Sequence, residues 1–345
     1  MTATVYLAEE VIAQILDRLP VKTLLRFRCV SKPWCSLIDS PQFVKAQLKR
    51  SIECNTNTDL IISSGVSSYW LCADSLDDTT AVEIDKTLRN PLLGTTLVGS
   101  CNGLLCSYDP CSYIPKTDIF LWNLATRRCR KLPPAPTDFL RPTDFFRPSD
   151  RKSFHYGFGY DAVNDDYKIL SISNPEVIIY SLRNNSWRRL QNISNGFQFI
   201  RCYGLFLGGA LHWITINTLA LESYQSILAF DLAAENYREV TMPKVRITYP
   251  YNELRLCNFG ESLCVLEFHH KISIDIWLMN DYGVGNSWCK LFSLEHQEII
   301  NHLVCAACAF AFSKSRRDVL VRAYRNHVKW YNLETKEIKT VKINC

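Results

Sequence analysis

Tyr180-Ser181-Leu182-Arg183-Asn184-Asn185-Ser186-Trp187-Arg188-Arg189-Leu190 reads as the end of one β-strand, a polar turn and a second strand. The apolar pair Ile178-Ile179 before it and the aromatic after the turn suit a pleated, half-buried surface. The same phrase returns at Trp122-Asn123-Leu124 with Arg128 and Lys131-Leu132-Pro133, and at Phe230-Asp231-Leu232 with Tyr237-Arg238. It returns again at Trp277-Leu278-Met279 with Trp288-Cys289-Lys290-Leu291, and at Tyr331-Asn332-Leu333 with Lys336 to Ile338. A fainter copy stands at Ala73-Asp74-Ser75-Leu76. Upstream of each copy a second turn separates two apolar runs: Asn55 to Asp59, Asn102-Gly103, Asn164 to Asp166, Gly208-Gly209, Gly260-Glu261 and Ser313 to Asp318. Two landmarks sharing a period of about fifty residues predict four short strands per repeat, the pattern of a β-propeller blade. Six copies predict about six blades over 55–345.

The first four dozen residues differ in kind. Val11, Ile12, Ile15, Leu16 and Leu19 share one helical face, and Glu9 and Glu10 lie in its first turn. Pro20 ends that helix. Leu24, Leu25 and Phe27 mark a second helix, and Ser31 with Pro33 opens a third that carries Trp34, Leu37 and Ile38. Ser40-Pro41 repeats the cap-plus-proline signal before Phe43, Val44 and Leu48. Such a head, 1–48, is too small to bury all its apolar side chains internally, so another surface must cover some of them. Residues 1–50 hold eight cations (Arg18, Lys22, Arg26, Arg28, Lys32, Lys45, Lys49, Arg50) and four anions (Glu9, Glu10, Asp17, Asp39), most of the chain's net +5. An acidic partner is favoured over a neutral one.

The run from Leu7 through Glu9-Glu10-Val11-Ile12, Leu19-Pro20-Val21, Leu24-Leu25-Arg26-Phe27-Arg28-Cys29-Val30-Ser31 and Pro33-Trp34 to Ile38 resembles an F-box of the plant type, with Ala8 where the family usually has proline. The body is similar to the F-box-associated domain of plant F-box proteins at Gly99 to Cys106, at Tyr156 to Asp161 with Asp165 to Ile169, at Gly209 to Ile214, and at Ile276 to Met279 with Tyr282-Gly283-Val284 and Ser287-Trp288. The resemblance implies an α+β, mainly β protein, a small trihelical F-box followed by a kelch-like β-propeller. It implies the substrate-recognition subunit of an SCF-type ubiquitin ligase, which supports protein ubiquitination without catalysing it. The implied partners are a Skp-type adaptor, cullin and RING subunits reached through it, and a target protein. The implied adaptor-binding residues are Leu7, Ile12, Ile15, Leu19, Pro20, Val21, Leu24, Leu25, Val30 and Trp34, divided between the interface and the head's own packing.

Two loops are candidates for target contact. The stretch Pro133 to Ser153 interleaves prolines with Phe139, Arg141, Phe145, Phe146 and Arg147, and Arg246 to Asn252 offers Tyr249 and Tyr251. Aromatics and arginines are the types enriched at recognition hot spots.

Other classes find less support. The apolar stretch Leu303 to Phe312 is far shorter than the roughly 20 residues a membrane span needs. The N-terminal residues carry no basic signal, and the fifteen cysteines are odd in number and scattered through apolar runs, so reduced thiols in cytoplasm or nucleus are expected. Cys305 and Cys308 with His302 and His296 offer zinc-ligand types but no second paired motif, so no metal or cofactor is expected. His212 reads as a structural histidine, and His269 and His270 point to opposite faces of a strand. The alternatives are a ligase-independent interaction scaffold and a metal-dependent propeller enzyme; no nucleic-acid partner is expected.

Overall fold

The structure is a computed structural model that describes residues 9–54, 59–63, 68–72, 80–84, 94–109, 118–136, 154–194, 196–200, 202–218, 224–245, 252–269, 273–295, 310–313, 315, 317–322 and 328–344. Four helices come first: α1 (Glu9–Leu16), α2 (Val21–Phe27), α3 (Lys32–Ile38) and α4 (Pro41–Glu53). The fourth is the helix opened by the cap-plus-proline signal at Ser40-Pro41, and it extends to Glu53. Six blades follow. They are blade 1 (β1 Asp59–Ser63, β2 Ser68–Cys72, β3 Thr80–Glu83), blade 2 (β4 Thr96–Cys101, β5 Leu104–Tyr108, β6 Ile119–Asn123, β7 Arg128–Lys131) and blade 3 (β8 His155–Asp161, β9 Asp166–Ser173, β10 Glu176–Ser181, β11 Ser186–Arg189). Blade 4 holds β12 (Phe197–Phe199), β13 (Leu205–Leu207), β14 (Ala210–Asn217), β15 (Tyr224–Asp231) and β16 (Tyr237–Val240). Blade 5 holds β17 (Asn252–Phe259), β18 (Ser262–His269), β19 (Ser273–Met279) and β20 (Trp288–Leu294), and blade 6 holds β21 (Phe310–Phe312), β22 (Asp318–Arg322), β23 (Val328–Asn332) and β24 (Ile338–Thr340).

The repeated phrase marks the turn between the third and fourth strands. In it the aromatic is buried (Trp122, Tyr180, Phe230, Tyr331), and the polar residue that follows caps the turn. Asn123 Oδ1 accepts from Thr126 N at 2.9 Å, Ser181 Oγ from Asn184 N at 3.0 Å, Asp231 Oδ1 from Ala234 N at 2.8 Å and Asn332 Oδ1 from Thr335 N at 2.8 Å. Four residues after each cap the backbone turns left-handed, with φ of 56° at Arg127, 51° at Asn185, 54° at Glu235 and 63° at Lys336. The side-chain cap offsets the cost of that conformation. Of the upstream turns, Asn102-Gly103, Gly208-Gly209 and Gly260-Glu261 join first and second strands as expected. Asn55 to Asp59 does not: Asp59 already opens β1, and Ser63 pairs with Ser68 across the first hairpin. The faint copy at 73–76 lies outside the described residues.

Apolar side chains fill every gap between neighbouring blades. Leu105 and Trp122 meet Ile61 between blades 1 and 2, Val98 and Leu121 meet Phe158 between 2 and 3, and Leu170 and Ile179 meet Leu211 and Phe230 between 3 and 4. Ile227 and Val265 meet between 4 and 5, Ile276 and Val319 between 5 and 6, and Leu71 and Trp330 between 6 and 1. The contact between blades 3 and 4 is close enough to demand glycine: a Cβ on Gly157 would lie 2.7 Å from Leu211 Cδ1 and 2.8 Å from Trp213 Cζ2. The buried Lys168 ammonium meets Asp161 of its own blade at 2.8 Å and, across the same gap, Glu235 at 2.9 Å and the Leu232 carbonyl at 2.7 Å. Burial pulls the lysine's pKa down, but the two carboxylates win and leave it raised.

The ring closes with β25 (Lys342–Asn344), which runs parallel to β3 as the fourth strand of blade 1. The stretch 338–344 therefore pairs first with β23 of blade 6 and then with β3 of blade 1. Between them Val341 is 4% exposed and donates its N–H to the Val328 carbonyl at 2.9 Å. Ending the chain at Thr340 removes this staple and is expected to cost about 3–5 kcal/mol, read by urea unfolding. Amide exchange should quicken in blades 1 and 6 before it does in blades 3 and 4.

Candidate protein-binding interface

The helices of the head follow from their caps. Ser31 Oγ accepts from Trp34 N at 3.3 Å and Ser40 Oγ from Phe43 N at 3.2 Å, each with a proline in the first turn behind it. Leu16, Leu24, Ile38 and Phe43 form the interior, with Ile12, Leu19, Phe27, Trp34 and Leu37 packed on it. Phe27 and Trp34 meet edge to face, their centroids 5.6 Å apart. Arg28 closes the unit by pairing with Asp39 at 2.6 Å.

This interior divides the residues expected at the interface. Leu24 is 4% exposed and belongs to the core, so it offers no surface to a partner. Ile12, Leu19 and Trp34 are half-buried against that core, Val21 and Leu25 are half-buried, and Pro20 is exposed ahead of α2. Ile15 and Val30 stand out, 50% and 59% exposed. Leu7 lies outside the described residues. Three further side chains add to the exposed apolar surface without having been assigned to it: Val11 at 40%, Val44 at 52% and Ile52 at 60%. For Val44 and Ile52 the signal was present, because with the half-buried Leu48 they recur every four residues along α4.

The head meets the propeller through polar tips. Lys22 Nζ sits 3.8 Å from the centroid of the Trp70 ring in blade 1. Lys45 pairs with Asp165 in the β8–β9 turn of blade 3, and the Tyr160 hydroxyl donates to the same carboxylate at 2.5 Å. Lys45 and Tyr160 together hold the Asp165 carboxyl below its usual range. Neither contact covers Val11, Ile15 or Val30, whose exposure is measured with the propeller in place.

Polar clusters within the blades are satisfied from inside. Glu267, His269 and Asp275 converge in blade 5, His269 Nε2 lying 3.0 Å from Asp275. Those residue types suit a cation, but Lys290 Nζ already stands 2.8 Å from Asp275, Ser293 Oγ donates to it at 2.6 Å, and Trp277 Nε1 donates to Glu267 at 3.1 Å. A metal would have to displace the lysine. Cys101 and Cys106 are free thiols in the core between blades 2 and 3, and burial alone pushes Cys101 up to about 12. They pack as small hydrophobes rather than as nucleophiles. Cys305, Cys308, His302, His296 and His270 fall outside the described residues, as do the loop candidates Phe139, Arg141, Phe145, Phe146, Arg147, Tyr249 and Tyr251.

Comparison with known proteins agrees with this division. The family model for the F-box domain matches residues 7–46, and that for the F-box associated beta propeller domain matches 62–344. The F-box protein CPR1 of Arabidopsis thaliana is 30% identical, the alignment covering 97% of this chain and 84% of that protein. A second Arabidopsis thaliana F-box protein is 27% identical over 97% of this chain and 86% of its own length. An F-box/kelch-repeat protein of the same plant is 28% identical over 83% and 78%.

His212 shows how firmly the body holds its titratable groups. It is fully buried, Nδ1 lies 3.1 Å from the Leu205 carbonyl, and Nε2 meets the Tyr282 hydroxyl of blade 5. Burial lowers its pKa to about 4. The unfolded chain therefore takes up this proton first, and stability is lost as pH falls from about 6.5 to about 4, by on the order of 3 kcal/mol. In His212→Gln, less stable overall, the slope of stability against pH across that window should flatten by this amount in denaturant titrations.

Proposed function

The chain belongs to the F-box proteins that carry an F-box-associated β-propeller, and from that premise we propose that it is a substrate receptor of an SCF-type ubiquitin ligase. The head binds a Skp-type adaptor, which brings cullin and RING subunits. The propeller holds a target protein, and the assembly works in cytoplasm or nucleus. Ubiquitin transfer then uses the conjugating enzyme's thioester, and this chain supplies proximity, turning a bimolecular encounter into an effectively intramolecular one.

The observation that carries this reading is the apolar surface at Val11, Ile15 and Val30, which the protein's own propeller leaves uncovered. Fully burying an aliphatic side chain yields about 1.5–3 kcal/mol. A partner that covers these together with the half-buried Val21, Leu25 and Leu19 gains enough to offset an association cost of about 4–15 kcal/mol.

The double substitution Ile15→Asp with Val30→Asp is expected to weaken binding of a purified plant Skp-type adaptor at least about 100-fold, or about 2.7 kcal/mol, in calorimetry. Both positions face solvent in the free protein, so the thermal unfolding of the variant should match the wild type. Leu24→Asp, by contrast, should unfold the head itself. Undiminished adaptor binding by the folded double variant would falsify the proposed interface.

A further inference from the structure

The outer strands of blades 2 and 3 are charged in one sense only. Residues 124–131 carry Arg127, Arg128, Arg130 and Lys131, residues 182–190 carry Arg183, Arg188 and Arg189, and neither stretch holds an acid. The matching stretches elsewhere are balanced: Glu235 and Glu239 flank Arg238 in blade 4, and Glu334 and Glu337 alternate with Lys336 and Lys339 in blade 6. All four side chains of β7 are exposed, as are Arg183, Arg188 and Arg189.

Among these cations Lys131 pairs with Asp118 at 2.5 Å and Arg188 with Glu235. Arg127, Arg128, Arg130 and Arg183 have no carboxylate within ion-pair distance among the described residues. Arg130 donates instead to Asn185 Oδ1 at 2.6 Å, and Arg183 to the Asn164 carbonyl at 2.7 Å. A neutral partner thus fixes Arg130 and leaves its charge unspent, while the charge of Arg183 also acts on Asp165.

The rim is continuous with the head. Arg183 lines an open depression of about 270 Å³ with Asp165 and Asp166, the first of which Lys45 of α4 engages. Asn185, two residues on, holds Arg130. The +4 head and the arginines of blades 2 and 3 thus lie on either side of Asp165 and Asp166, with Arg183 beside them. Two like-charged copies of this surface would repel, which argues against self-association and for an acidic partner.

We propose that the arginine rim of blades 2 and 3 is a second contact for the adaptor, engaging an acidic segment of the same subunit that the head holds. This rests on the reading of the head as adaptor-binding. Guanidinium forks suit carboxylates, and rim charges act mainly on the rate of encounter.

The test is surface plasmon resonance of full-length protein against a purified plant Skp-type adaptor, across salt concentrations. Arg128→Glu with Arg130→Glu and Arg183→Glu should slow association roughly tenfold at low salt, change dissociation little, and converge on the wild type near 0.5 M salt, where screening is nearly complete. Lys336→Glu with Lys339→Glu, on blade 6, serves as the control for net charge and should keep association within about twofold of wild type. Equal slowing in that control, or unchanged association of the rim variant while Ile15→Asp with Val30→Asp abolishes binding, overturns the rim alone. No binding by the wild type overturns the head reading and the rim with it. Retention of a fluorescent single-stranded RNA by the wild type, lost in the rim variant whose adaptor kinetics are unaltered, overturns the rim contact in favour of a nucleic acid.

Discussion

A blade is a sheet with two apolar faces, and neither is satisfied until a neighbour lies against it. Everything else in the body answers to that constraint. Six gaps need six sets of interlocking side chains, and the described residues supply them around the whole ring. Where two blades approach most closely, glycine replaces a side chain; where a lysine must lie in a gap, two carboxylates and a carbonyl surround it. Removing the lysine would leave the buried Asp161 carboxylate without a cation, at a cost of about 3–5 kcal/mol.

The head obeys the opposite logic. Four short helices enclose only a small interior, and their remaining aliphatics have nowhere to go. A domain of this size keeps its fold with a modest core and presents the surplus outward. It touches the propeller with lysine tips, contacts that orient it without covering its apolar face. Exposed contacts of this kind are weak, so the arrangement is set lightly.

The propeller was legible in the sequence because its turns are chemical rather than merely hydrophilic. Asn123, Ser181, Asp231 and Asn332 recur where a side chain must accept backbone N–H groups, and the aromatic before each must be buried. The pattern weakened where other physics took over. In blade 5 the strands are joined by eight residues, with a short 3-10 turn at Gly285–Ser287. In blade 1 the outer strand is borrowed from the far end of the chain, so no local repeat marks it. In the head the caps at Ser31 and Ser40 were plain, but helical periodicity could not separate Leu24, inside, from Ile15 and Val30, outside. On helices this short, core-facing and exposed residues are both apolar, and only three-dimensional packing sorts them. The basic rim escaped notice for a related reason: its arginines lie some fifty residues apart along the chain, on repeats that adjacency in the ring brings together.

The borrowed strand also sets an order of events during synthesis. The helices are complete at Glu53, whereas the strand that seals the circle ends at Asn344. At ribosomal rates of about 5–20 residues per second, the interval is roughly 15 to 60 s. Throughout it the growing body is an arc with two raw ends, while the helices are already outside the exit tunnel. A nascent chain of this design completes its helices long before its ring can close.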